Sequence, residues 1–390
     1  AGLQKRLEEV ANFPFLKSPK KAVARLDLLP SQGHLVTSLS ANDFTECEET
    51  QPTEKSGGCG FIPERLVSRL ITGSGGHVRK GSTSFQVRIL APKLGLFKGM
   101  LAVKQGIDQI QLPPSMRKVE RSLAAAPDDL RAWVVVKRSH PSLCNRVIGK
   151  WLQDVSPPKS FKQKRFSPML WNLLEALQVP KDVLEKYQKP QAEQDSLRKE
   201  AWVVGVADPT SALPPGHIYI SGLPESKAPL VDGKRQVFIT RSPCYKPSHG
   251  QRFPILVERP ASMREEDWNA LTRRPFGEVL FPHEGRALPE AIAAGDIDGD
   301  LYWICWDHDI ATNVQTRALP EASACSPGDG ADRLGAQWLE KAWSYILHPN
   351  FYRPFFLTGK FYNAAMTKMR QKGMDDDDVQ ILFGAYAQLL

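Results

Sequence analysis

Ala294-Gly295-Asp296-Ile297-Asp298-Gly299-Asp300-Leu301-Tyr302-Trp303-Ile304-Cys305-Trp306-Asp307 sets three carboxylates, Asp296, Asp298 and Asp300, immediately ahead of an apolar, strand-like run. Two bare carboxylates about 4 Å apart repel by roughly 4 kcal/mol at an effective dielectric near 20, so the three converge only with a divalent cation or with protonation. Oxygen-only ligands favour Mg²⁺ or Mn²⁺. A calcium loop of the EF-hand kind competes, because its D-x-D-x-D spacing is present and Asp307 falls at its twelfth place. Leu301 occupies the sixth place, where that loop needs Gly, and Leu301–Trp306 reads as a buried strand. Gly299 supplies the backbone freedom for a tight turn that aims alternating side chains at one point. The stretch reads as a metal-binding loop at a strand start, with calcium and magnesium both open on electrostatics alone.

Upstream of this loop, 201–306 reads as a strand-rich block, with strands at Trp202–Val206, His217–Ser221, Gln236–Thr240, Ile255–Glu258, Glu278–Phe281 and Leu301–Trp306 between Pro and Gly turns. Short strands with many turns point to a barrel or sandwich. A second such block lies earlier, where Phe85–Leu90 alternates and Lys98–Val103 begins another strand, after a helix expected at Glu64–Ile71. The first fifty-odd residues read as a loosely organised extension. Gly73–Ser82 tempts toward a phosphate cradle, but Lys80-Gly81-Ser82 inverts the order a P-loop needs, so it reads as a connector.

Between the blocks, Lys137, Arg138, Arg146, Lys150, Lys159, Lys162, Lys164 and Arg165 interleave with Trp151, Phe161 and Phe166, a pattern suited to phosphates and stacked bases. Phe166–Tyr187 reads as helical and Gln188–Lys199 as a polar link. Helical periodicity returns at Leu334–Ile346, Pro354–Met369 and Val379–Leu390, and Asp375–Asp378 read as charging a helix N-terminus.

At 390 residues the chain has room for two to three domains. Lys and Arg number 51 against 43 Asp and Glu, a net charge of +8 that suits a polyanionic partner. No apolar run approaches the roughly 20 residues of a membrane span, and no signal-peptide core opens the chain, so an intracellular protein is expected, nuclear or cytoplasmic left open. The six cysteines form no C-x-x-C pair and read as reduced thiols.

Several motifs in order resemble the cellular RNA-dependent RNA polymerases of RNA silencing. Asp296-Ile297-Asp298-Gly299-Asp300 is similar to that family's Asp-hydrophobe-Asp-Gly-Asp signature, and Val204-Gly205-Val206-Ala207-Asp208 with Gly216–Ile220 to the segment opening its catalytic barrel. Thr240–Pro247 resembles its basic-x-Pro-Cys stretch, and Val279–Pro282 with Gly285-Arg286 the segment leading into the signature. Gly57–Gly60, Phe85–Arg88, Lys98-Gly99 and Pro114–Lys118 follow the same family order. Lys246-Pro247-Ser248-His249-Gly250 departs from the family's His-Pro-Gly-Asp, and Arg286-Ala287-Leu288-Pro289 from its Arg-Pro-His-Pro. Family members are usually far longer, so the chain reads as a compact relative or an excised core.

The resemblance implies an α+β fold of two double-psi β-barrels with connecting helices and a C-terminal helical region. The implied divisions are an extension at 1–55, a lysine-bearing barrel at 56–140, a basic connector at 141–199, the catalytic barrel at 200–310 and helices at 311–390. It implies Mg²⁺-dependent (Mn²⁺ possible) transfer of nucleotides from NTPs to an RNA 3′-hydroxyl on a single-stranded RNA template. Asp296, Asp298 and Asp300 would hold two metal ions, with Lys98 and Lys118 neutralising the triphosphate. Arg241 would sense the ribose 2′-hydroxyl, and Arg117, Gln86, Arg88, Arg286 and Lys246 would contact template or nucleotide. A DNA template, a non-catalytic RNA-binding module and a calcium-stabilised scaffold are the alternatives.

Overall fold

A computed structural model of the chain describes residues 2–26, 28, 34–73, 80–91, 94–122, 132–139, 166–188, 199–319, 333–348 and 353–389. Strands within them form two sheets, with helices at both ends of the chain and between the sheets, an α+β architecture. Most of the Gly-rich connector, of the basic segment beyond Ser139 and of the polar link lies outside the described residues.

The first sheet comprises β1 (His34–Leu39), β2 (Phe44–Glu46), β3 (Cys59–Pro63), β4 (Ser84–Ala91), β5 (Gly95–Lys104), β6 (Ile110–Leu112), β7 (Arg117–Glu120) and β8 (Ala132–Ser139). Its order is β1-β8-β4-β5-β3-β6-β2, with β7 also on β5. The β3–β5 and β2–β6 pairs are parallel and the others antiparallel. Thus 34–46, read from sequence as part of an extension, is integral to the sheet: short strands whose pairing partners lie far along the chain leave little local periodicity to read.

Ahead of them, α1 (Gly2–Val10) and α2 (Pro19–Leu26) pack with the helix at Trp338–Leu347 around Phe13, Ala22 and Trp338. Phe13 and Trp338 stack at 4.7 Å. Full burial of an aromatic ring contributes about 2–3 kcal/mol, enough to anchor short helices that would fray alone. α3 (Glu64–Gly73) buries Leu66 and Leu70, four residues apart and so on one face, against the first sheet.

The Phe166–Tyr187 helix of the sequence reading is two helices, α4 (Pro168–Ala176) and α5 (Lys181–Gln188). Gln178 takes a left-handed φ of 66° and Pro180 follows, so the helical ladder cannot continue. The second sheet comprises β9 (Glu200–Ala207), β10 (Tyr219–Ile220), β11 (Leu230–Val231), β12 (Lys234–Arg241), β13 (Gln251–Pro254), β14 (Glu278–Phe281) and β15 (Leu301–Cys305). Its order is β10-β14-β9-β15-β12-β11, with β13 on β12. The strand expected at Ile255–Glu258 is displaced to Gln251–Pro254. Beyond Pro254 the chain leaves β12 after one more bond, Ile255 N to Arg235 O at 2.9 Å, and turns to Ile218, whose carbonyl accepts from Leu256 N at 3.0 Å.

Helices α6 (Glu265–Thr272), α7 (Leu288–Ala291) and α8 (His308–Asn313) connect and follow these strands. The chain then runs through α9 (Trp338–Leu347), α10 (Arg353–Lys372) and α11 (Asp377–Leu389). α4, α5, α10 and α11 cover Phe238, Trp303 and Cys305 on one face of the second sheet. The other face shares a core with the first sheet: Cys59, Phe61, Met100 and Ala102 pack among Val204, Val206, Val279 and Phe281. No helix of the described residues is long and apolar enough to cross a membrane.

Candidate active site

The Asp296–Asp300 loop enters β15, whose first residue pairs with Val204 of β9, while Asp300 O accepts from Gly205 N at 3.1 Å. Internal bonds cinch it. Asp300 Oδ2 accepts from Asp296 N at 3.0 Å, Asp296 Oδ1 from Asp298 N at 3.2 Å, and Tyr302 Oη donates to Asp296 O at 2.8 Å. Ile297 is fully buried, and its amide donates to Gly57 O of the first sheet's β3 approach at 3.1 Å. The loop is therefore pinned from both sheets.

Two glycines make that fit possible. At Gly58 (φ +106°) a Cβ would lie 2.6 Å from Asp298 Cβ, and at Gly299 (φ +127°) it would lie 2.0 Å from Gln86 Nε2. Both a left-handed backbone and a close approach demand Gly at these positions. Gln86 lies against the loop, its amide 3.4 Å from Asp298 O.

The carboxylates meet protein cations. Lys98 Nζ, on β5, is 2.7 Å from Asp298 Oδ2, and Arg241 Nε, at the end of β12, is 2.5 Å from Asp300 Oδ2. Arg241 Nη1 also donates to Ala293 O at 3.0 Å. All four side chains are between 15% and 26% exposed, so these charge-assisted bonds are only partly screened and contribute about 1.5–3 kcal/mol each. Burial alone would lower the Arg241 pKa, but the Asp300 carboxylate beside it carries it above the ordinary value.

Asp296 is different. Burial, then the neighbouring Asp298 and Asp300 carboxylates, push its carboxyl up to about 7. Lys118 donates its ammonium to Ser115 O at 2.6 Å; burial lowers its pKa against the attraction of Asp298. Arg88, 8% exposed, is likewise lowered by burial against Asp298, and its Nε is buried without a hydrogen-bond partner among the described residues. Sequence reasoning missed a further cation. Arg25, on α2, has a buried, unpartnered Nε, and its pKa too is lowered by burial against the pull of Asp298. No local motif marks it, since it belongs to a segment read as an extension.

Three other expected contacts lie elsewhere. Arg117 is taken up by ion pairs with Glu46 and, at 3.2 Å, Glu120, and lies over the Phe97 ring. Arg286 sits in the β14–α7 connection with a buried Nη2 that has no hydrogen-bond partner among the described residues. Lys246 is exposed beside His249. Asp307, the twelfth residue of the calcium alternative, caps α8 by accepting from Asp309 N at 2.9 Å and Ile310 N at 3.3 Å, and pairs with Lys199 at 3.0 Å. That carboxylate is committed away from the loop, so no EF-hand ligand set assembles.

A family model described as RNA dependent RNA polymerase matches residues 3–201 and 196–344. The chain belongs to the RNA-dependent RNA polymerase family. A probable RNA-dependent RNA polymerase 1 of Oryza sativa subsp. japonica is 29% identical over 114 residues, covering 27% of this chain and 13% of the rice protein. The RNA dependent RNA polymerase QDE-1 from Thielavia terrestris shares the fold, with a TM-score of 0.64 at 16% identity over 99% of this chain and 50% of that one. The chain therefore spans about half the length of the solved polymerase it matches. Within this family member, the two sheets and α2 bring Lys98, Lys118, Arg88 and Arg25 close enough to the acidic loop to feel the charge of Asp298.

The donor set suits a hard cation: three oxygen-bearing side chains on one short loop, with the Asp296 carboxyl pushed up by burial and then by its neighbours' charges, a demand that a bound cation would answer. Among the described residues no three such groups are arranged as a ready chelate; Lys98 and Arg241 pair with two of the carboxylates.

Proposed function

We propose that this chain carries the catalytic site of an RNA-dependent RNA polymerase that transfers nucleotides from NTPs to an RNA 3′-hydroxyl on a single-stranded RNA template. The observation that carries this reading is the 2.7 Å contact between Lys98 of the first sheet and Asp298 of the second, residues two hundred positions apart. It is supported by family membership and by the motif order, and the same motifs support two double-psi β-barrels as the topology and RNA silencing as the setting.

Asp296, Asp298 and Asp300 are the residues that would hold Mg²⁺, or Mn²⁺. When bound, such ions lower the pKa of the attacking hydroxyl and stabilise charge on the in-line phosphoryl transition state. The chain's own cations do the rest. Lys98, released from Asp298, faces the triphosphate as a compact point charge, and Lys118, Arg88 and Arg25 extend that positive wall to take up the charge of departing pyrophosphate. Arg241, anchored through Ala293 O, presents its guanidinium beside Asp300, where a nucleotide's ribose would lie. Gln86, with its amide on the Asp298 carbonyl, steadies the loop.

Incorporation of labelled NTPs on single-stranded RNA and single-stranded DNA templates, with Mg²⁺ and with chelator, tests the reading. Mg²⁺-dependent incorporation on RNA is expected. Incorporation confined to DNA would move the chain to a DNA-templated activity, and tight, salt-sensitive RNA binding without incorporation would make it a binding module.

A further inference from the structure

Within the shared core between the sheets, the described residues include a buried ion pair. Arg274, in the turn after α6, and Glu278, the first residue of β14, form an ion pair with side chains 4% and 0% exposed. Arg274 Nε donates to Glu278 Oε2 at 2.6 Å and Nη2 to Glu278 Oε1 at 3.1 Å. The same guanidinium crosses to the first sheet, Nη2 to Thr83 O at 2.9 Å and Nη1 to Val103 O at 3.2 Å. Thr83 Oγ1 returns a bond to Glu278 Oε1 at 2.8 Å. Removing two charges from water costs several kcal/mol, and apolar side chains of like volume serve stability equally well. What an apolar pair does not supply is direction: a planar fork with fixed acceptors sets the relative position of the groups it joins.

The groups it joins lead to the candidate site. Thr83 precedes β4, which carries Gln86 and Arg88, and Val103 lies on β5 five residues beyond Lys98. Five strand residues span about 16 Å, so a rotation of a few degrees at the fork displaces Lys98 by about 1 Å. On the other side Glu278 pairs through β14 with Val204 of β9, which pairs with Leu301 at the end of the Asp loop.

We propose that Arg274 is a positioning residue for nucleotidyl transfer. Seated on Glu278, it sets the ends of β4 and β5 against the second sheet so that Lys98 meets Asp298. The kinetic consequence rests on the polymerase reading; the geometric one does not.

Two variants test it. R274K keeps the charge beside Glu278 but loses the fork, and R274M/E278M removes the pair without leaving a lone buried charge. In both, the Ile297 amide, bonded to Gly57 O across the sheets, is expected to exchange with solvent at least about tenfold faster by NMR, with the β9 and β15 ladder amides unchanged. A loosening of the whole fold would raise exchange in all of them. In primer extension kcat is expected to fall about tenfold or more with KM within about threefold, because misplacement by about 1 Å is costly in the transition state. In a K98A background the same substitutions are expected to cost several-fold less, since the residue they position is gone. Unchanged Ile297 exchange in a folded variant, undiminished kcat, or an equal loss with and without Lys98 would overturn the proposal. Should the parent chain make no polymer, the polymerase reading fails and amide exchange alone decides this one.

Discussion

The chain carries two dense acidic runs, Asp296–Asp300 and Asp375–Asp378, with opposite electrostatics. The first is folded into a loop pinned between two sheets, where burial and mutual repulsion push Asp296 up to about 7. The second opens α11 in solvent. There Lys368 and Lys372 hydrogen-bond Asp378, at 2.5 and 3.0 Å, and hold it down to about 2, while Arg317 takes Asp375 at 2.5 Å. Both runs are built on aspartates; the surroundings set them apart. Carboxylates that are desolvated and crowded store a demand for cations, whereas exposed ones satisfied by lysines and a helix N-terminus do not.

The largest separation between the two runs is expected in catalysis. Asp300→Ala should lower Mg²⁺-dependent incorporation by about a thousandfold or more with the folded state intact by circular dichroism, while Asp377→Asn/Asp378→Asn should stay within about twofold of the parent. Retained activity in Asp300→Ala would erase the distinction. Next is the cation facing the first run: Lys98→Ala should cost about a hundredfold in kcat and much less in KM, and an unchanged kcat would reduce Lys98 to a structural partner of Asp298.

Stability provides the third contrast. The folded-state pKa of Asp296 is raised, so its contribution is fully present below the unfolded value near 3.8 and is lost as pH rises through about 7. Asp296→Asn should therefore raise Tm at pH 8 in chelator while abolishing incorporation, the pattern of a site held under strain for function. A lowered Tm would contradict the crowding. The smallest effect belongs to Asp378. Its folded pKa is lowered, so its contribution is present above about 3.8 and is lost as pH falls toward about 2. Asp378→Asn should shift Tm by no more than a few degrees at pH 7 and flatten only the acid limb of the melting profile, because exposed pairs contribute little.

Much of this was legible in the residues. β14 falls at Glu278–Phe281 as alternation and turns suggested, the final helices follow their periodicity, and the ordered motifs named both the acidic loop and the lysine that meets it. Patterns of period two or 3.6 and short motifs are local, so they survive in a linear reading. Apart from the helix broken at Gln178 and Pro180, the failures were non-local. Residues 34–46 hid their strands because β1 pairs with β8 and β2 with β6, each far along the chain. Arg25 hid because its proximity to Asp298 depends on how α2 packs against α9. Arg117, next to Lys118 in sequence, was expected beside the nucleotide and instead faces Glu46, since neighbours on a strand point to opposite sides.

The sequence by itself determined that three carboxylates would crowd a turn before a buried strand, and that Gly299 would give that turn its backbone freedom. Only the tertiary structure decided which charges answer them. Lys98 and Arg241 do so, Arg117 and Lys246 do not, and the Arg274–Glu278 pair bridges the two sheets that carry the rest. The reason is physical: charge type and backbone freedom are properties of a residue, but a salt bridge of 2.7 Å is a property of how a strand and a loop far apart in sequence dock.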